Sequence, residues 1–277
     1  MINQRFQDSD YLKSEQYKTS QNLEARIALH RQFSTADTPW MTWVFDYLDL
    51  QSGQAILECG CGPGLLWREN VARIPAGCHL TLTDLSEGMV AEAEAALKDS
   101  GHSFAFQTAD IQNLSFEDNS FDVVVANHML YHVPDREKGL AEVRRVLRTG
   151  GRFAAATNGS NHLRQLFALG EEVFPERQAE LAASRSLREA QMMLSFRLEN
   201  GADQLASYFD QVDLFRYPDS LEVTEAEAII TYVMSGIYFK EILPPEIERE
   251  LRTYLNAKIE RDGRIHITKE TGLFIAS

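Results

Sequence analysis

The sequence predicts an α/β fold built on a doubly wound, mostly parallel sheet, on the strength of three observations. From about Ala55 onward, short apolar runs alternate with amphipathic segments, the rhythm of a parallel sheet with crossover helices. A glycine-rich turn follows the first of these runs. An acidic residue closes each of the first three.

The elements follow in order. Residues 1–50 read as helical, with Leu23, Ile27 and His30 on one face and an aromatic cluster at Trp40, Trp43, Phe45 and Tyr47. Strands are expected at 55–59, 79–83, 103–109, 121–126 and 152–157. Ser86 caps a helix whose Met89, Val90, Ala93 and Leu97 share one face. A second helix begins after Pro134, turns Leu140, Val143 and Leu147 inward, and stops at Gly150-Gly151. Residues 159–208 are helical and amphipathic. A strand is expected at 212–217, helices at 224–263 opened in part by Pro244-Pro245, and a strand or hairpin at 264–276. The chain therefore divides into an N-terminal helical lid (1–50), a core (51–158), a helical cap (159–210) and late strands at 211–277 with a helical insertion at 224–262.

Composition narrows the function. Against 27 Lys+Arg stand 41 Asp+Glu, a net charge of −14. That excess argues against a nucleic-acid partner, which needs a basic face to neutralise phosphates. No stretch reaches the ~20 apolar residues of a membrane span, and the polar start has no apolar signal core. Three cysteines, Cys59, Cys61 and Cys78, are too few for a disulfide framework. The expectation is a cytoplasmic protein with no membrane partner; monomer and homodimer stay open.

The run ending in Glu58 is followed by Gly60, Gly62 and Gly64, alternate glycines that permit a tight turn and a close backbone approach to a ligand. The dinucleotide pattern G-x-G-x-x-G fails, because its last position falls on Leu65 or Trp67. No lysine follows in phosphate-loop fashion. Glu58 would repel a pyrophosphate and attract a cation. Asp84 and Asp110 close the next two strands at equal intervals along the chain. Ligands of open parallel sheets bind at the carboxyl ends of strands, so the three acids are expected to share one crevice. Asp84 suits ribose hydroxyls, and Asp110 suits an exocyclic amine.

Five segments carry a family resemblance: Leu57-Glu58-Cys59-Gly60-Cys61-Gly62-Pro63-Gly64, Thr83 to Met89, Ala109-Asp110-Ile111, Phe121 to Asp135, and Arg145 to Gly151. In this order they resemble the class I S-adenosylmethionine-dependent methyltransferases, nearest to the bacterial small-molecule type of quinone biosynthesis. The resemblance implies a Rossmann-like sheet with an antiparallel last strand. It implies S-adenosyl-L-methionine as cofactor and S-adenosyl-L-homocysteine as product. Glu58 and the loop at Gly60, Cys61 and Gly62 would surround the methionyl part, Asp84 the ribose, Met89 the adenine region, and Asp110 with Ile111 the adenine edge, with Leu85 also binding the cofactor. Asn127 would sit beside the methionyl amino group. Tyr17 and Arg26, in a stretch similar to a lid helix, would reach the cofactor carboxylate. Thr149 departs from the family, which often has proline there.

Methyl transfer is an in-line displacement, so the protein mainly aligns the reactants and excludes water. A base is needed only where the acceptor loses a proton. His132, His128 and Tyr131 are the candidates, with histidine titrating near neutrality. His128 and His132 are spaced as metal ligands on a helix would be, but the family requires no metal and none is expected. Asn127-His128-Met129-Leu130 lacks the motif of enzymes that methylate nucleic-acid amines. The acceptor is expected to be a small molecule under a roof of Phe33, Trp40, Phe167, Met192, Met193, Phe196, Tyr232, Met234, Tyr238 and Phe239, with most of these packing in the core. Two alternatives stay open: a non-catalytic protein that binds S-adenosylmethionine, and a nicotinamide-dependent oxidoreductase.

Overall fold

A computed structural model describes residues 8–11, 21–192, 194–235 and 247–277. Beta-branched and apolar residues bury both faces of the central strands, as parallel strands covered by helices require. Ile56 and Leu57 in β1 (Ala55–Cys59) and Val123 to Val125 in β4 (Phe121–Asn127) are all inaccessible. Together with β2 (His79–Asp84), β3 (Ser103–Thr108), β5 (Leu147–Asn158), β6 (Val212–Tyr217) and β9 (Thr271–Ala276), they form one seven-stranded sheet in the order β3-β2-β1-β4-β5-β9-β6. β9 runs antiparallel to both β5 and β6, and the other neighbours pair in parallel. The strand order reverses at β1, between β2 and β4.

Helices cover both faces. Val44, Phe45 and Leu48 of α2 (Trp40–Leu48), Leu66 and Trp67 of α3 (Leu65–Arg68) and Ala93 and Leu97 of α4 (Glu87–Leu97) pack on one face. Leu140 and Val143 of α5 (Arg136–Val146), with Leu205 of α8 (Gly201–Leu205), pack on the other. The caps are local: Ser86 Oγ accepts the Met89 amide, and Asp135 accepts the Lys138 amide.

A third apolar cluster joins segments far apart in sequence. It unites Leu29 of α1 (Gln21–Phe33), Leu166 of α6 (Arg164–Val173), Leu221 of β7 (Ser220–Val223), Ile229 of α9 (Ala226–Ser235), Leu255 of α10 (Ile247–Asp262) and Ile267 of β8 (Ile265–Thr268). The 15-residue helix α7 (Gln178–Met192) accompanies α6.

Three expectations are corrected. α5 ends at Val146, not at Gly150-Gly151, because the amides of Asn119 and Ser120 take the Arg145 and Val146 carbonyls. Leu147 is buried as the first residue of β5, paired with Phe121, and the strand runs on through both glycines. The late segment is not a hairpin on itself: β8 pairs with β7 in a separate two-stranded sheet, while β9 inserts into the main sheet. β7 was not expected at all. Pro244-Pro245 lies outside the described residues.

Candidate active site

The reversal of strand order leaves a crevice at the carboxyl ends of β1, β2 and β4, occupied by a cavity of about 530 Å³. The strand-end wall is acidic. Glu58 is 2 % exposed and accepts the indole N–H of Trp67 at 2.6 Å. Burial pushes its carboxyl up to about 8, reinforced by the Asp84 charge and opposed by the Trp67 hydrogen bond. Asp84 accepts the amides of Gly62 (2.9 Å) and Ser86 (2.8 Å). Burial raises this carboxyl too, and the surrounding amides pull it back. Asp110 lies just past β3, where it accepts the backbone amide of Gln112 at 2.9 Å and its side-chain amide at 3.0 Å.

Main-chain bonds fix the glycine turn between these acids. The Cys61 amide donates to the Thr83 carbonyl, and Thr83 Oγ1 donates to the Glu58 carbonyl, both at 2.9 Å. Gly60 has φ 70°, and a Cβ there would meet the Met129 side chain at 2.8 Å. Only glycine fits that position. At the end of β4, Asn127 donates to Met41 Sδ at 3.5 Å, while its Oδ1 is buried with no hydrogen-bond partner among the described residues.

The facing wall comes from α1, the start of α2, the turn after β4 and the cluster of cap elements. His128 has φ 59°, an uncommon conformation for a non-glycine residue. Its ring lies 5.2 Å from that of Trp40. Burial and the Lys269 charge lower its imidazole to about 4. The rings of Tyr131 and His132 lie 4.6 Å apart, tilted by 60°, on the short 3-10 turn Leu130–His132.

Residues 57–155 match the family model described as a methyltransferase domain. Over this stretch the chain is similar to class I S-adenosylmethionine-dependent methyltransferases. Its relatives include the ubiquinone biosynthesis O-methyltransferase of Aromatoleum aromaticum, 34% identical over 132 residues, 46% of this chain and 55% of that protein. Another is the ubiquinone/menaquinone biosynthesis C-methyltransferase UbiE of Idiomarina loihiensis, 30% identical over 115 residues, 41% of this chain and 46% of that protein. The matches span about half the length of these curated relatives. Among solved structures, phosphoethanolamine N-methyltransferase 2 of Haemonchus contortus superposes with a TM-score of 0.57 at 18% identity, covering 98% of this chain and 60% of that one. The [4+2]-cyclase SpnF does so with 0.57 at 14% identity, covering 97% and 96%. These two likenesses show the fold alone, and the second neighbour is a cyclase by name.

Between the matched stretch and the cap elements, one cavity brings together Arg26, Glu58, Gly60, Cys61, Gly62, Asp84, Leu85, Met89, Asp110, Ile111, Asn127, His128, Tyr131 and His132. Tyr17 lies outside the described residues. Of the expected roof, Trp40 and Tyr232 line the cavity. Phe33, Phe167 and Met234 pack instead in the cap cluster and Phe196 in the core against Phe274. The side chains of Met192, Met193, Tyr238 and Phe239 lie outside the described residues. Sequence reasoning missed His162, Tyr217, Lys269 and Thr271, which line the cavity from the cap and the late strands. It also read His30 only as one member of a helix face. No local motif marks these residues.

The wall suits the family's cofactor on its own chemistry. It offers acids for a cationic group, an orphaned amide oxygen at Asn127 for an ammonium, and buried apolar Met89 and Ile111 for a base.

Proposed function

We propose that this protein transfers the methyl group of S-adenosylmethionine to an O, N or C atom of a small molecule held in the cap side of the cavity. The observation that carries this reading is the convergence of Glu58, Asp84 and the orphaned Asn127 Oδ1 around a glycine turn, on one wall of a cavity whose other wall is built by a separate cap. The cofactor, when bound, supplies a methyl group already activated on a sulfonium. The chain's own part is to hold and align. Glu58 and Asn127 receive the cationic methionyl end, Asp84 takes the ribose hydroxyls, and Asp110, positioned by Gln112, takes the adenine edge. Arg26 on α1 is the partner for the cofactor carboxylate. The turn bearing His128, Tyr131 and His132 sits where a proton leaving the acceptor would be received.

The charge of −14 supports a small acceptor over a nucleic acid. Among the described residues, no helix is long and apolar enough to cross a membrane. We assign the lid role to the segment 1–50 and place the enzyme in the cytoplasm.

Calorimetric titration with S-adenosylhomocysteine, S-adenosylmethionine and NADH tests the reading. Both adenosyl ligands are expected to bind and NADH not at all. Asp84→Asn should weaken adenosyl binding by roughly ten- to a hundredfold, the worth of charge-assisted hydrogen bonds of about 1.5–3 kcal/mol. Binding of NADH alone would overturn the proposal. Adenosyl binding without turnover across varied acceptors would make the chain a binding protein.

A further inference from the structure

The cavity is electrically lopsided. The carboxyl groups that line it are Glu58, Asp84 and Asp110 on the strand-end wall, and Glu69, which is paired to Arg31 at 3.1 Å. The opposite end holds Lys269 and a group of imidazoles. His30 and His162 stack with centroids 6.0 Å apart, and Tyr232 meets His30 edge-on at 5.9 Å. Trp40 bridges His128 (5.2 Å) and Tyr217 (5.1 Å), and Lys269 Nζ lies 5.2 Å from the Tyr217 ring centroid. His30, His128 and His162 lie deep yet keep part of their surface accessible, because they line the cavity.

Among the described residues, Nδ1 of His30 and the indole N–H of Trp40 are buried at this end without a hydrogen-bond partner. Such atoms cost free energy unless a ligand satisfies them. The indole N–H is a donor only, so what it lacks is an acceptor. His162 is accounted for. The Glu270 amide donates to its Nδ1 at 3.2 Å, and Thr271 Oγ1 donates to Asn158 Oδ1 at 2.8 Å, which leaves the His162 proton on Nε2. Lys269 is held by the fully buried Asp219, which also accepts from Ser34 Oγ at 2.8 Å and the Thr35 amide at 3.0 Å. Among the described residues, no group of three or more side chains has a metal-holding arrangement.

We propose that this end of the cavity, where His30, His128 and His162 gather beside Lys269 and the Trp40 indole N–H, is the acceptor subsite and binds a small planar molecule through an acidic oxygen, a carboxylate or a phenolate. The ring rests among Trp40, Tyr217 and Tyr232, and the oxygen receives the indole N–H. Its negative charge draws a proton from solvent onto His30, whose Nδ1 is unpartnered. The groups that bear on the imidazoles are the cations Lys269 between β8 and β9, Arg26 of α1 and Arg197 after α7, and the neighbouring imidazoles themselves, His128 acting on His30 and both of these on His162. Together with burial, they keep the imidazoles neutral at pH 7 until an anion arrives. The dipolar cavity thus sets a cationic methyl donor at one end and an electron-rich acceptor at the other. In naming the acceptor, this rests on the methyl-transfer reading above.

The test is calorimetry at pH 7 on the protein saturated with S-adenosylhomocysteine and on the free protein, with benzoate, 4-nitrophenol and their uncharged counterparts benzamide and nitrobenzene. At least one acid is expected to bind tenfold or more tighter than its neutral counterpart. Buffers of different ionisation heat should show about one proton taken up per benzoate bound, and about half a proton per 4-nitrophenol, which brings part of the proton itself at pH 7. The tighter acid separates a carboxylate site from a phenolate site. His30→Phe keeps the ring packing and removes an atom that has no internal hydrogen bond to lose. It should fold with an undiminished Tm and unchanged S-adenosylhomocysteine affinity, but lose the proton uptake and about tenfold in acid affinity. Equal binding of acids and neutral counterparts would overturn the subsite. Tight acid binding without proton uptake would assign the anion to Lys269 and overturn the imidazole role. Acid binding that persists when S-adenosylhomocysteine fails to bind would leave the subsite standing and bring down the methyl-transfer reading instead.

Discussion

Glu58 faces Trp67 on one side and the cavity on the other, and with its carboxyl near 8 it is mostly protonated at neutral pH. A cation placed beside it favours the carboxylate, so cofactor binding at pH 7 should expel a proton. Calorimetry of S-adenosylmethionine in buffers of differing ionisation heat is expected to show a release approaching about one proton. In Glu58→Gln, whose amide oxygen still accepts the indole N–H, that release should vanish. The acid was legible in the sequence, because it closes the first strand beside a glycine turn. Its protonation was not, because Trp67 is brought against it only by packing of the short helix α3.

Among the elements, the turn after β1 is the most demanding. Gly60 and Gly62 both have positive φ, but only at Gly60 would a Cβ collide with a neighbour, Met129, while the nearest atom at Gly62 is a Leu23 methyl at 3.7 Å. Gly60→Ala should therefore lower S-adenosylhomocysteine affinity and Tm together, and more than Gly62→Ala, in a thermal-shift titration. The core strands and the cap of α4 were legible because apolar runs and a serine mark them locally. The strand β7 was not, being four residues whose partner β8 lies far along the chain. The end of α5 was misplaced because periodicity carries Leu147 inward in a helix and in a strand alike. It is the neighbouring loop amides that decide between them. The same limit hid Lys269 and His162: they join the site through long-range pairing, and no motif announces them.

For the molecule as a whole, the two ends of the cavity give opposite pH dependences. Glu58 has a folded value above its unfolded one, so the folded state holds the extra proton, and its contribution is lost as pH rises from about 4.5 to about 8. His30 and His128, lowered to about 3 and about 4, are neutral when folded and charged when unfolded below 6.5. Stability from them is therefore lost as pH falls below 6.5. Between those limits the slopes oppose each other, and above 6.5 only the Glu58 slope remains. The Tm of the free protein is expected to fall between pH 6.5 and 8, and this fall should be absent in Glu58→Gln. Differential scanning calorimetry across that range decides it.

The position of β9 between β5 and β6 bears on how the chain is made. Synthesis delivers β5 and β6 first, and until β9 emerges each presents an open edge with Phe153 and Leu214 unshielded. β8 closes the small sheet under the cap only a moment earlier. A ribosome paused before Thr271 therefore carries a nascent chain whose β9-facing edges on β5 and β6 are both unpaired, a state open to wrong strand pairing.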